Sequence, residues 1–147
     1  WAETLSDIYK LAKVIREYIR DGDRCLLVSE NRPEWLISDL AIMLANGITV
    51  PAYTTYTEND YKYLIEDCQP SVIITSNNAM HDKLKNIINE KDFIKKVITF
   101  EKVEDGDYEK RYLNFDSIIK SDLQENEKTR NEIEMGVKAF LGMGIEK

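Results

Sequence analysis

Short unbroken apolar runs, separated by longer stretches with helical spacing, set the pattern of this chain. The runs are Cys25 to Val28, Ile48 to Val50, Val72 to Thr75 and Val97 to Phe100. Strands buried on both faces read in this way, so with their flanking residues the runs predict strands over 24–29, 48–50, 71–75 and 96–100. Pro51 can donate no ladder hydrogen bond and is expected to close the second strand. Between the runs the spacing turns helical. Leu5, Ile8, Leu11, Ala12, Ile15 and Ile19 line one face of a helix over 1–20. Asn31 or Arg32 can cap the next, with Pro33 and Glu34 in its first turn and Leu36, Ile37, Leu40, Ala41 and Leu44 as its apolar stripe, stopping at Asn46 and Gly47. Thr57 caps a third helix, with Glu58 and Asp60 in its first turn and Tyr61, Leu64 and Ile65 facing inward; it ends before Gln69 and Pro70. Ser76 or Asn77 caps a fourth, carrying Met80, Leu84, Ile87 and Ile88.

Strands alternating with helices imply right-handed parallel βαβ units. The predicted fold class is therefore α/β: a mostly parallel sheet with helices on both faces. Residues 101–125 read as an acidic loop followed by short edge elements, a strand at 112–115 and a turn or two of helix at 115–120. A charged helix over 126–141, with Ile133, Val137, Phe140 and Leu141 on a narrow stripe, ends the pattern before Gly142.

Composition narrows the partners. With 147 residues, 43% hydrophobic and 10% aromatic, residues 1–147 are expected to form one α/β domain. A net charge of −7 argues against nucleic acid and against an anionic membrane as partners. No apolar run approaches the roughly 18 residues of a membrane span, and no basic-plus-apolar leader opens the chain. The expected setting is cytoplasmic, with peripheral attachment to a membrane left open for a full-length protein. Cys25 and Cys68 read as unpaired thiols of a reducing compartment, a disulfide between them being the alternative.

Candidate chemistry is sparse. His81 is the sole histidine and, flanked by Met80 and Asp82, reads as a surface residue, which leaves no material for a metal cluster or a Ser-His-Asp triad. The six glycines fit no phosphate-cradling motif. What remains is position: in an open parallel sheet ligands gather beyond the carboxyl ends of the strands. Three loops belong there: residues 29–32, 51–57 and 76–78. The second, with Tyr53, Thr54 and Tyr56, could form a wall for an apolar substrate or pack against a neighbouring subdomain; Asn31 and Arg32 of the first are candidates of the same kind. The plainer alternative makes Asn31 and Ser76 helix caps, Trp35 core, and the tyrosines packing residues.

The run GDRCLLVSENRPEW, followed by ANGITVPAYTTYTENDYKYLIEDCQPSVIITS, resembles the N-terminal part of the acyl-adenylate-forming, AMP-binding enzymes and, within them, the long-chain fatty-acid–CoA ligases. The resemblance is continuous from about Trp1 to Ser76, in order and in spacing. It implies that the chain is the N-terminal portion of a longer enzyme that converts a fatty acid, ATP and CoA to acyl-CoA, AMP and pyrophosphate, with Mg²⁺. Opening on Trp1 without a methionine fits that expectation. In the family a phosphate loop close to Y-T-S-G-T-T-G-x-P-K would come next, and nothing like it occurs before Lys147. The resemblance therefore places no catalytic residue in this chain, and no cofactor is expected on it alone; its partners would be the remaining segments of the parent enzyme. Members acting on aryl or short acyl groups tend to carry an Asn-Pro type loop after Val-Pro, whereas Tyr53-Thr54-Thr55 looks like the long-chain branch. The alternatives are a self-contained α/β binding or regulatory module and a purely structural remnant of a ligase.

Overall fold

In a computed structural model, which describes residues 2–120, the apolar runs become one sheet. The elements in chain order are α1 (Ala2–Arg16), β1 (Arg24–Val28), α2 (Pro33–Leu44), β2 (Ile48–Ala52), α3 (Glu58–Cys68), β3 (Val72–Thr75), α4 (Asn78–Glu90), β4 (Lys96–Thr99), β5 (Tyr112–Asn114) and α5 (Phe115–Lys120). The helix expected over 126–141, and residues 121–125 of the acidic segment, lie outside the described residues. All neighbouring strands pair in parallel, in the order β2-β1-β3-β4-β5. The expected parallel α/β sheet is present, and the short edge strand anticipated at 112–115 takes its place beside β4, ending at Asn114 because Phe115 opens α5.

Register divides the side chains into two cores. Cys25, Leu27, Val72, Ile74 and Ile98 face α1, α2 and α5, packing with Ile8, Leu11, Ile15, Ala41 and Ile42. Leu26, Val28, Ile73 and Val97 face α3 and α4, meeting Tyr61, Ile65, Leu84 and Ile88. Because β1, β3 and β4 are covered on both faces, every position of β3 is buried and its sequence shows no alternation.

β1, β3 and β4 are each one residue shorter than expected, and the details of α1, β2 and α2 have local reasons. α1 stops at Arg16, because Glu17 N and Tyr18 N bond to Val14 O and Ile15 O and tighten the last turn, yet Ile19 still reaches the core from the connection. β2 runs through Pro51 to Ala52. Ile48 N donates to Asp23 O at 2.9 Å, so alternate residues of β2 turn toward β1 while Thr49 and Pro51 direct their nitrogens to the open edge, where proline's missing donor costs nothing. α2 closes at Asn46 and Gly47 as expected, with Asn46 the left-handed residue (φ 64°); Gly47 N donates to Ile42 O and Asn46 N to Met43 O, a Schellman closure. Space at Gly47 is tight: a Cβ there would sit 3.0 Å from Ile19 Cδ1, which would have to give way. Finally, α2 is rotated from the predicted stripe. Ser38, Ala41 and Ile42 are its buried positions, Leu40 is half-buried and Leu36 is exposed.

Both thiols are free and buried, as the unpaired reading has it. Burial pushes the Cys25 thiol up to about 12, with Asp23 adding to the effect, which leaves it unreactive.

Candidate functional site at the carboxyl edge of the sheet

From β1 the chain goes outward to β2 and then crosses back to β3, so the strand order reverses between β1 and β3. The crevice of a doubly wound sheet opens at that reversal. The expected loops stand there, and the structure sorts their side chains into two groups.

The first group closes the reversal point. Ser76 Oγ, at the end of β3, donates to Glu30 Oε2 at 2.9 Å, linking the loops after β3 and β1. Arg32 Nη1 donates to Glu30 Oε1 at 3.2 Å, Nη2 pairs with Glu34, Nη1 lies 3.7 Å from Glu101 Oε2, and the guanidinium sits 5.4 Å from the Phe100 ring centroid. Burial alone would raise the Glu30 carboxyl, but its own backbone N–H, Ser76 and Arg32 outweigh it and hold the group below the usual carboxylate range. Desolvation works against the Arg32 charge too, and Glu30 and Glu34 overcome it. A guanidinium shared among three carboxylates is already committed, so Arg32 ties the ends of β1 and β4 together. Arg32 also occupies the N-cap position of α2, but neither it nor Asn31 caps through its side chain; Pro33 at the first helical position and Glu34 on the helix dipole do that work. Asn31 is exposed and stands apart from the ion pairs. After β3 the cap is Asn77, whose Oδ1 accepts from Met80 N at 3.1 Å, leaving Ser76 to Glu30.

The second group is the loop after β2. Tyr53 is 71% exposed, unusual for so large a ring, and meets Tyr56 edge-on with centroids 5.5 Å apart. Tyr56 in turn lies 5.6 Å from the Tyr61 ring, which is fully buried on α3. The loop backbone is tied from below: Tyr61 Oη donates to Tyr53 O, and Lys83 Nζ of α4 donates to Thr54 O at 2.9 Å and to Tyr56 O at 3.2 Å. Thr57 and Asp60 then form a reciprocal capping box that starts α3. Tyr53, Thr54 and Tyr56 are thus brought together, and Arg32 belongs to the other group. Lys83 and Tyr61 escaped the sequence reading because they act on main-chain carbonyls, which leave no mark in side-chain pattern.

His81 is a correction. It is buried, 1% exposed, with Nε2 sharing a hydrogen bond with the Tyr112 hydroxyl and Nδ1 lacking a partner. The helical spacing held the signal: His81 precedes Leu84 by three positions and Ile88 by seven and shares their buried face, with Met80 packed at the margin of the same core and Asp82 exposed. Burial depresses its proton affinity; Asp82 and Asp105 pull upward without reversing this. The unfolded chain therefore binds this proton more readily than the folded one. Stability is complete above the ordinary histidine value of about 6.5 and is lost as pH falls from there toward the lower folded value. Urea unfolding at pH 7.5 and 5.5 is expected to show lower stability at the acid pH, and equal free energies would mean that the imidazole charges in place. The Tyr112 phenol, buried beside it, is pushed up to about 12. In the same corner Tyr108 Oη accepts from Val103 N and bonds Thr99 Oγ1, both at 2.8 Å. Gly106 admits this packing, since a Cβ there would lie 2.7 Å from the Tyr108 ring.

Among the described residues no helix is long and apolar enough to cross a membrane. No group of three or more His, Cys, Asp or Glu side chains among them is placed to hold a metal. The N-termini of α3 and α4 are capped by the chain's own Thr57 and Asn77, which accept from Asp60 N and Met80 N.

Comparison with known proteins supplies what this geometry alone does not. The long-chain-fatty-acid–CoA ligase of Bacillus subtilis is 36% identical over 74 residues, covering 50% of this chain and 13% of that protein. A medium/long-chain-fatty-acid–CoA/3-oxocholest-4-en-26-oate–CoA ligase of Mycolicibacterium smegmatis is 30% identical over 97 residues, 66% of this chain and 17% of the relative. The chain thus spans a small fraction of the length of these relatives. In fold it is similar to the coronafacic acid ligase of Pectobacterium brasiliense, with a TM-score of 0.70 at 21% identity over 84% of this chain and 25% of the other. The family profile described as AMP-binding enzyme matches residues 1–136, and the chain belongs to that family.

Proposed function

We propose that this chain is the N-terminal part of an adenylate-forming acyl-CoA ligase of the long-chain fatty-acid branch. In the reaction proposed for the whole protein, the fatty carboxylate attacks the α-phosphorus of ATP, releasing pyrophosphate, and the thiol of CoA then displaces AMP from the acyl-adenylate. The family match over 1–136 carries this reading, and the names of its fatty-acid–CoA ligase relatives support it. The finer assignment to long chains rests on Tyr53-Thr54-Thr55 following Val50-Pro51.

ATP, CoA and Mg²⁺ belong to the parent enzyme. The described residues do not fit them: they offer no metal ligand set, no glycine cradle, and an Arg32 already held by three carboxylates. No bond-making step is assigned to this chain. Its proposed role is a rigid sheet that presents Tyr53, Thr54 and Tyr56 as part of a wall for an apolar substrate, with the other segments of the enzyme as its partners.

The test is pyrophosphate release by the full-length protein with ATP, Mg²⁺, CoA and a panel of acids. Hexadecanoate is expected to exceed benzoate in kcat/KM by about tenfold or more, since burying a long alkyl chain recruits binding that an aryl ring cannot match. The isolated chain is expected to release none and to bind ATP at about millimolar or weaker. Failure with every fatty acid would end the ligase reading; preference for aryl acids would end the long-chain one.

A further inference from the structure

The loop after β2 combines a backbone tied at three of four neighbouring positions with a large ring held out in solvent. An exposed loop of Thr and Tyr would ordinarily move, because few apolar contacts hold it and each ordered residue costs conformational entropy. Here the carbonyls of Tyr53, Thr54 and Tyr56 are all occupied by side chains from other elements. Two of the three bonds come from the one ammonium of Lys83, across 29 and 27 residues of sequence, from a helix that follows a different strand. A single donor bridging two carbonyls fixes their separation and hence the direction in which the intervening side chains leave the loop. The ring of Tyr53 is held at the other end by Tyr56, itself packed on Tyr61 and the core beneath α3 and α4.

We infer that Lys83 is a positioning residue for the substrate wall, holding the 53–57 backbone so that Tyr53 and Tyr56 stand preformed at the carboxyl edge of the sheet. This rests on the reading that the loop is such a wall. Lys83 touches no substrate. It acts by removing in advance the ordering cost that binding would otherwise carry, so its loss weakens ground-state and transition-state binding alike, which appears in KM and not in kcat. A lysine that merely stabilised the fold would lower the melting temperature and leave KM unchanged.

The experiment uses the full-length enzyme that carries this chain, with the variants Tyr53→Ala, Lys83→Met, Lys83→Arg and Tyr61→Phe. Kinetics are read with hexadecanoate, and amide hydrogen exchange is followed over residues 53–57. Lys83→Met should raise KM for the fatty acid about tenfold, keep kcat within about twofold and speed exchange in the loop. Lys83→Arg, which can still donate to both carbonyls, should recover most of the loss. Tyr61→Phe removes the third bond by an independent route and should shift KM in the same direction. If Tyr53→Ala raises KM while Lys83→Met changes neither KM nor exchange, the positioning role is overturned and the wall reading stands. If no variant, Tyr53→Ala included, alters KM, the wall reading falls and the inference falls with it.

Discussion

Ile42→Ala in the 147-residue chain is expected to cost about 2–5 kcal/mol of unfolding free energy, and Leu40→Ala no more than about half of that. The order is informative because the apolar stripe read from sequence centred α2 on Leu40. In the fold Ile42 is 0% exposed, wedged with Ala41 against Leu11 and Ile15 of α1 and Cys25 and Leu27 of the sheet. Truncating it leaves a cavity whose walls are strands and helices that cannot close in, so the lost transfer energy and the cavity cost add. Leu40 is half-buried at the margin of the same core, and solvent can fill part of the space it vacates. Equilibrium urea unfolding of both variants decides the matter. An equal or larger loss for Leu40→Ala would mean that α2 is rotated by about one position from the packing described.

That rotation shows where sequence ceases to be informative. The strands were legible because a strand covered on both faces is apolar at both parities through its middle, so β1, β3 and β4 announce themselves as short apolar runs with polar residues only at their ends. α2 is apolar on nearly every side after Glu34, and a helix with five or six candidate residues per two turns has no single best face. His81 failed in the opposite way: a polar residue on a face otherwise set by Leu84 and Ile88 was judged by its chain neighbours when helical spacing was the better guide. At the candidate site, the place of the 53–57 loop followed from β2 alone, because parallel strands put their carboxyl ends on one edge. Its tethers did not, since Lys83 and Tyr61 recognise carbonyl oxygens that every residue possesses. Likewise, Arg32 is an ordinary basic residue until Glu101 arrives from β4, 69 positions later in sequence, to share its charge.

Arg111→Ala is the second large effect, expected at about 2–4 kcal/mol, from a residue whose sequence context in the acidic loop predicts nothing. Arg111 stands at the entry to β5, where its own carbonyl accepts from Val97 N at 3.0 Å. Its side chain reaches back under α4. Nη1 donates to Ile88 O at 2.6 Å, Nε and Nη2 to Ile94 O at 2.9 and 2.7 Å, and Nη2 also to Lys91 O. Ile88 lies in the last turn of α4 and Lys91 is its C-cap, where the helix dipole is negative and the carbonyls have only long backbone bonds, Lys91 N to Ile88 O and Ile94 N to Lys91 O, both at 3.4 Å. One guanidinium thus satisfies three carbonyls and fixes the turn from α4 into β4. Removing it takes the donors from Ile94 O and leaves Ile88 O and Lys91 O with only their long backbone bonds in a partly buried site, and it is this desolvation cost, more than the lost attraction, that sets the size of the effect. Arg111→Lys should recover less than half, because an ammonium offers its three donors from a point and cannot span carbonyls that the planar fork reaches in two directions. Urea unfolding of the two variants, with amide exchange over residues 88–97, tests both statements. A lysine variant as stable as the parent would show that charge alone at the helix end suffices, and an alanine variant within about 0.5 kcal/mol of the parent would show that water serves these carbonyls as well as arginine does.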